Sequence, residues 1–518
     1  MKITPKQWVI FFILACLGFF VWLKLEYGRF IFIDLSVDRN KAVKVAQNYL
    51  KNSGVNTADY LKAVVFNSDD WADRFLQKTL GADAEDNFIK KYNYELFSWE
   101  VRFFRELDKE EYIVIVSPKT GEVTAYRHLI EDVEPRETQP KETAFKKVEQ
   151  FLKKTYNIDF NDYDFHEEQV RRFDNRTDYG FSWERKGVNL AWKDNEGQGK
   201  LLVGAIVSGN EVREFYKTHL DIPEKFRRYV EHQFSQGEYL YSIYFLIFIV
   251  LIICSIFLVV KRKNELAVRI SKKWYISLAL FFLSSNILFA LNNFEGILIG
   301  YNTSTNLMPY LGFTFVKLMI NIIFLTVIFI MPGLAGESLC REVFPRNPGC
   351  SFLHYMKSTF FSRRVSSSVV LGYLVFFIIL GFQALIFNFG QKYFGVWREW
   401  VKLTQYSSSY IPFLSAFIIA ANASLSEEVV FRIFGISFTK RYLKNTAAAV
   451  LLASLIWGFG HSQYPVFPAW FRGVEVTCIG LLFGFIFLKF GIIALITAHY
   501  VFDAFLGLSA HIFGRGSS

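Results

Sequence analysis

Long apolar runs near both ends of the chain flank a polar stretch. A helix needs about 20 apolar residues to cross the hydrocarbon core of a bilayer. The first run, residues 8–25, follows Lys2 and Lys6 and lacks a small-residue cleavage site, so residues 1–25 are interpreted as a membrane anchor. An eight-helix bundle is predicted over residues 238–518, with helices at about 239–260, 274–291, 310–334, 368–389, 410–437, 446–462, 473–489 and 491–512.

The polar stretch, residues 26–237, contains an internal repeat. The tetrapeptide FSWE occurs at 97–100 and again at 181–184, and in both places it is followed by strand-like residues. Two units are therefore predicted, at about 38–130 and 139–222, each with one helix and then antiparallel strands. The units resemble PepSY-type modules, which implies a small α+β fold. The predicted fold class is mainly α, a polytopic transmembrane helical bundle with an inserted α+β domain of two repeated units.

Charge supports this division. The chain of 518 residues is 52% hydrophobic and carries a net charge of +10, but its basic residues cluster beside the apolar runs, as membrane topology requires, and no nucleic-acid partner is expected. The outer loop 293–309 has no lysine or arginine, whereas loop 390–409 is an exception with three. The predicted inner loops carry Arg341, Arg346, Lys357, Arg363, Arg364, Lys440, Arg441 and Lys444.

This distribution predicts a multi-pass protein of the cell membrane. Cytoplasmic loops are the basic ones, so the amino terminus is expected in the cytoplasm. Residues 26–237 are then extracytoplasmic.

Three groups of ionisable residues inside predicted helices of the last third of the chain are candidates for a site. A charge at the centre of a membrane helix costs at least about 2.5 kcal/mol, so such residues need a partner or a function. In SLSEEVVFR, Glu428 and Arg432 are four residues apart, share one helical face and can form an ion pair. Glu427 points about 100° away and has no such partner.

The other two groups are His461, at the end of WGFGH, and the pair His499 and Asp503 in HYVFD. From the basic turn near residue 443, Glu427 and His461 both lie roughly 24–27 Å along antiparallel neighbouring helices, so their side chains can meet. His499 and Asp503 are again four apart on one face, at roughly 14–20 Å from their own turn.

Four groups of this kind at similar depth can hold an attacking water. Glu427 can remove its proton as a general base, with Glu428 and Arg432 in support. In one mechanism, zinc is bound by Glu427, His461, His499 and Asp503. In the other there is no metal, and His499 with Asp503 stabilises the oxyanion or orients a histidine. The sequence leaves both open.

These motifs, EExxxR, aromatic-xxx-His (Trp457 to His461) and His-xxx-Asp, follow one another over about residues 410–505. They resemble the CPBP family (CAAX protease and bacteriocin-processing, also called Abi) of intramembrane proteases. The resemblance implies endopeptidase activity on membrane-associated proteins or peptides, with prenylated substrates in one branch and zinc dependence assumed for many members. Trp457 replaces the usual phenylalanine, and Asp503 the common asparagine.

Two functions from other classes compete with hydrolysis. A non-hydrolytic partner binder, such as a bacteriocin self-immunity protein, would keep the fold and tolerate the loss of Glu427. A transporter would also bury carboxylates and histidines, but it predicts inverted repeats among the spans, and the sequence 239–512 shows no such symmetry.

Overall fold

The computed structural model describes residues 3–31, 33–193, 196–269, 272–345 and 362–516. A helical bundle and a sheet domain make up this part of the chain, which confirms the predicted fold class. Two basic residues of a predicted inner loop, Arg346 and Lys357, lie outside the described residues.

The helices follow the apolar runs. Eight helices in the described ranges are long and apolar enough to cross a membrane, as expected of a multi-pass membrane protein, and the predicted segment 446–462 forms a shorter helix of 14 residues. In chain order the helices are α1 Pro5–Leu25, α2 Tyr27–Ile31, α3 Arg39–Asn52, α4 Asp70–Leu80, α5 Ala82–Tyr92, α6 Lys141–Tyr156, α7 Glu224–Lys261, α8 Lys263–Arg269, α9 Lys272–Asn292, α10 Phe294–Ile299, α11 Leu307–Val343, α12 Arg363–Phe394, α13 Val401–Ser407, α14 Pro412–Glu427, α15 Ser437–Leu443, α16 Thr446–Phe459, α17 Ala469–Phe490 and α18 Ile492–Phe513.

The strands of the sheet domain (Arg39–Asp221) form one antiparallel sheet in the order β1-β2-β3-β4-β9-β8-β6-β5, with β7 paired to β8. Strands β1 to β4 belong to the first predicted unit and β5 to β9 to the second. The two units meet where β4 pairs with β9, with Tyr126 opposite Phe215. The strands are β1 Leu61–Ser68, β2 Phe97–Phe104, β3 Glu111–Val116, β4 Val123–Leu129, β5 Tyr163–Phe173, β6 Arg176–Arg185, β7 Leu190–Ala191, β8 Gln198–Ser208 and β9 Glu211–Asp221.

The repeat is visible in this sheet. Both FSWE sequences lie in the second strand of their unit, β2 and β6, and in each unit a helix, α3 or α6, packs its apolar side against the sheet. The first unit differs by one insertion, because α4 and α5 separate β1 from β2 while a tight turn joins β5 to β6.

The inserted helix α4 contacts the capping segment, residues 395–408, which joins the bundle helices α12 and α14. Gln77 donates to the Arg398 carbonyl at 3.0 Å, and Lys78 donates to the Gly395 carbonyl at 3.1 Å. Within the segment, strand β10 (Trp397–Arg398) pairs with β11 (Val466–Phe467), which precedes α17. The sheet domain is therefore attached to loops that connect helices of the bundle.

The helix from Pro412 to Leu443 changes its winding midway. Between α14 and α15, Glu428–Ile436 form a π-helix of nine residues, all of which are buried. Such wider turns are rare and are frequently found at functional sites. The sequence pattern gave no indication of this change.

Candidate active site

The site starts where α14 becomes the π-helix. Glu428, which is fully buried, forms an ion pair with Arg432 at 3.3 Å, as the spacing of four residues predicted. The same carboxylate accepts a hydrogen bond of 2.7 Å from Nδ1 of His499 on α18. A buried carboxylate is tolerated only with such partners. Glu428 thus connects two helices of the bundle.

Arg432 stacks on the ring of Trp457 from α16, with its guanidinium carbon 3.9 Å from the ring centre. This contact is a cation–π interaction, which strengthens when water is excluded. Arg432 is 1% exposed, so Glu428 and the indole face supply its environment.

Trp457 also holds Glu427. Its indole N–H donates a hydrogen bond of 2.5 Å to Oε2 of Glu427. The indole ring lies edge-on to both His461 and His499, with centroid distances of 5.3 and 5.8 Å. Sequence reasoning treated Trp457 only as the aromatic position of a motif. The sequence did contain a signal for this role, because the indole N–H of tryptophan can donate a hydrogen bond and phenylalanine has no such group.

His461 follows α16 and is fixed by its own preceding turn. Its Nδ1 lies 2.8 Å from the Trp457 carbonyl, which can only accept, so Nδ1 carries a proton. Nε2 of His461 lies 3.9 Å from Oε2 of Glu427. The structure therefore brings together the two side chains that the depth argument placed at one level.

His499 lies between two carboxylates. Nδ1 faces Glu428, and Nε2 faces Oδ2 of Asp503 at 3.5 Å, one turn further along α18. The spacing predicted that His499 and Asp503 share a face, and they do. The bond from His499 to Glu428 was not predicted, because spacing within one helix does not reveal which neighbouring helix a side chain meets.

Lys402, from the capping segment, approaches the site from outside the motif helices. Its Nζ lies 3.9 Å from Oδ1 of Asp503. In the sequence this lysine appeared only as one of the basic residues that made loop 390–409 an exception to the topology rule. This exception to the topology rule was the feature of the sequence that could have pointed to a role for Lys402.

A cavity of about 180 Å³ adjoins the site. Lys402 and Tyr464 form part of its wall, and Tyr464 stacks on the His461 ring with centroids 5.3 Å apart. The remaining wall includes the charged or polar residues Glu26, Arg29, Gln383, Arg398, Glu399 and Arg472. A cavity of this size whose wall carries several polar groups can hold water near the histidine.

The side chains do not fit a zinc centre as they lie. In the described part of the chain, no three histidine, cysteine or acidic side chains converge as a metal site requires. Of the four predicted ligands, Glu427 and His461 face each other, but both ring nitrogens of His499 face carboxylates. Zinc stays a prediction from the family resemblance, and no chemical step below depends on it.

Comparison with known proteins supports the motif reading. Residues 409–505 match the family described as type II CAAX prenyl endopeptidase Rce1-like, which confirms the CPBP resemblance for that region. The sporulation-killing factor biosynthesis protein SkfC of Bacillus subtilis (strain 168) is 26% identical over 135 residues, 25% of this chain and 26% of that protein. The chain thus matches about a quarter of this relative's length. No solved structure matches. The PepSY resemblance of the sheet domain stays a prediction.

Proposed function

We propose that this protein is an intramembrane endopeptidase of the CAAX-protease type, with Glu427 as the general base. The observation that carries the proposal is the pairing of Glu427 with His461. Trp457 holds the carboxylate by its indole N–H and the imidazole by its carbonyl oxygen, and it leaves 3.9 Å between the two facing atoms. That separation exceeds a direct hydrogen bond. A water molecule that contacts both atoms is poised for deprotonation.

In the proposed reaction, Glu427 takes a proton from this water, and the oxygen forms a bond to the carbon of a peptide carbonyl. The neutral His461 orients the water through its unprotonated Nε2. The tetrahedral intermediate then collapses, the C–N bond breaks, and the proton passes from Glu427 to the departing amine nitrogen. Atoms and charge balance without a further reactant.

The other residues support this step. Glu428 and Arg432 fix the π-helix beside Glu427, and Glu428 also holds Nδ1 of His499. We assign His499, oriented by Asp503, to the stabilisation of the oxyanion, since donors placed before the reaction lower the barrier most in a site that excludes bulk water. Of the predicted site residues, only Glu427 and His461 contact the attacking water in this scheme.

The proposed substrates are membrane-associated proteins or peptides. A bilayer around the apolar helices brings such substrates to the site in this proposal, and water enters by the adjoining cavity, whose wall carries several charged side chains. The matched family is described by prenyl endopeptidase activity, so a prenylated peptide belongs among the test substrates. We further propose that the amino terminus is cytoplasmic and that residues 26–237 are extracytoplasmic, on the strength of the charge distribution.

The test is cleavage of a library of plain and prenylated peptides by the purified protein in detergent. Wild type, Glu427→Gln and Glu427→Ala are compared, each with a chelator and then with zinc added back. We expect both variants to lose about 10³-fold or more in rate, because the general base is removed. Loss in the variants with no chelator effect supports glutamate catalysis without a metal. Loss with chelator and recovery with zinc would establish a metalloprotease.

Equal cleavage by wild type and both variants would rule out the proposed reaction. An absence of cleavage by any of the proteins, together with tight retention of one peptide, would favour the partner-binding function instead. The fold of each variant is checked by its elution volume and melting temperature before activity is compared.

A further inference from the structure

The carboxylates of the site outnumber the cations that the motif helices supply. Glu427, Glu428 and Asp503 surround the two histidines, and the one guanidinium among the predicted site residues, Arg432, pairs with Glu428. Asp503 is left facing a histidine on one side and the ammonium of Lys402 on the other. The side chain of Asp503 is only 18% exposed, so water screens its charge weakly.

Lys402 reaches this position because the sheet domain holds the capping segment. Arg74 of α4 forms an ion pair of 2.5 Å with Glu399, three residues before Lys402. Beyond Lys402, the Ser408 hydroxyl accepts a hydrogen bond of 2.9 Å from the backbone N–H of Phe66 in β1. The segment is thus attached to the sheet domain on both sides of the lysine.

Packing adds to these polar contacts. Trp400 lies edge-on to Phe97 of β2 with ring centroids 6.0 Å apart, and Leu403 is buried in the core of the sheet domain. Arg74 and Glu399 have side chains that are 10% and 3% exposed, so their ion pair is shielded from solvent. A segment fixed in this way keeps the backbone of Lys402 beside the site, within reach of Asp503.

We propose that Lys402 is a positioning residue of the site. Its ammonium balances the charge of Asp503 and so keeps that carboxylate directed at His499, whose other nitrogen is bound to Glu428. This inference rests on the proposed function, and it makes the sheet domain part of the enzyme, since that domain delivers the lysine.

The physical argument is electrostatic. Without Lys402, Asp503 is a half-buried carboxylate whose remaining contact in the site is a histidine that Glu428 also holds. A charge in the protein that loses its compensating partner moves toward water. The orientation of His499 then changes, because Asp503 no longer faces it. An uncharged residue at 503 needs no compensation, so the requirement for Lys402 disappears with the charge of Asp503.

The experiment is a double-mutant cycle in the full-length protein. The variants are Lys402→Met, Asp503→Asn and the two combined, with kcat/KM for one cleaved peptide as the readout. We expect Lys402→Met to lose about tenfold, and the combined variant to equal Asp503→Asn within about twofold, a coupling ordinary for contacting charged groups. Lys402→Arg, which retains the charge, is expected to keep most activity. The control is Lys392→Met, an exposed lysine at the end of α12.

The inference is overturned if Lys402→Met behaves like wild type, or if Asp503→Asn does not relieve its defect. If Asp503→Asn is itself inactive, the same cycle is measured as melting temperature in detergent, where strict additivity overturns the pairing and non-additivity supports it. Glu427→Gln is run in parallel. Its retention of activity would show that the proposed function fails, whereas its loss beside an active Lys402→Met shows that only the role of Lys402 fails.

Discussion

The carboxyl groups of the candidate site and a pair of carboxyl groups in the sheet domain have different surroundings. In the bundle, Glu427 and Glu428 each accept a hydrogen bond from a tryptophan or histidine ring. In the sheet domain, Asp73 of α4 and Glu85 of α5 are buried against each other. Burial raises the pKa of Asp73 to about 7, and burial together with Asp73 raises the pKa of Glu85 well above its ordinary value.

The difference follows from what each pair has to do. Two adjacent carboxyl groups satisfy each other when they share a proton, and this needs no other partner. A general base must instead receive a proton, so it has to be ionised before the reaction. The bundle meets this requirement with fixed donors and cations around its carboxylates. The comparison teaches that the partners of a buried carboxyl group, rather than its burial, separate a catalytic site from a structural contact.

Among the changes that test this comparison, the largest effect on activity is expected from Glu428→Gln. The amide keeps the shape but removes the charge that holds Arg432 and His499, and breaking a buried pair from one side costs about 3 kcal/mol or more. We expect kcat/KM to fall by about 10²-fold, together with a lower melting temperature in detergent. Both are measured on the purified full-length protein.

The matched control is Glu475→Gln. Glu475 is also fully buried and pairs with Arg472 and Gln383, but it does not contact the two histidines. We expect Glu475→Gln to lower the melting temperature with little change in kcat/KM of the folded fraction. If Glu428→Gln lowers only the melting temperature, as we expect of this control, Glu428 has a structural role like that of Glu475.

The sequence predicted those features of the site that depend on distance along a helix. Glu428 with Arg432, and His499 with Asp503, share faces because four residues make about one turn. Glu427 met His461 because equal depth on antiparallel neighbours places side chains side by side. The fold class could be predicted for the same reason, since the length of each apolar span and the FSWE repeat are properties of local sequence.

Contacts between distant parts of the chain could not be predicted from the sequence. Whether His499 binds Glu428 depends on the rotation of α18 relative to the π-helix, and no local pattern encodes that rotation. Lys402 reaches Asp503 only because the sheet domain fixes the capping segment. A π-helix has more residues per turn than an α-helix, so it changes the direction of every following side chain. The angle of about 100° between successive side chains, which α-helical geometry predicts, therefore applies only as far as Glu428.

A smaller effect is expected from Trp457→Phe, which tests the role of the fixed donor. Phenylalanine keeps the aromatic face for Arg432 and the edge contacts with the histidines, but it removes the hydrogen bond to Glu427. Loss of one hydrogen bond to a charged group corresponds to about 1.5 kcal/mol, or roughly tenfold. We expect that loss in kcat/KM with KM nearly unchanged.

The control for this change is Trp470→Phe, a tryptophan on α17 that is 40% exposed. We expect its kinetics to match wild type. If Trp457→Phe also matches wild type, the orientation of Glu427 does not depend on the indole N–H, and the contrast between the two carboxyl environments weakens.

The change with the smallest expected effect on activity concerns stability in the sheet domain and follows from the pKa of Asp73. Its value of about 7 lies above the ordinary value near 4, so between these pH values the folded state holds a proton that the unfolded state has released. The stabilisation is therefore fully present below about pH 4 and is lost as the pH rises through 7. We expect the free energy of local opening of α4 and α5 to fall by about 2 kcal/mol between pH 5 and 8, measured by hydrogen exchange of the full-length protein.

In Asp73→Asn, which stays neutral, this fall should largely disappear, whereas Asp132→Asn, at an exposed position, should retain it. An equal fall in wild type and Asp73→Asn would show that the buried pair does not share a proton. The two kinds of carboxyl site would then differ in position but not in chemistry.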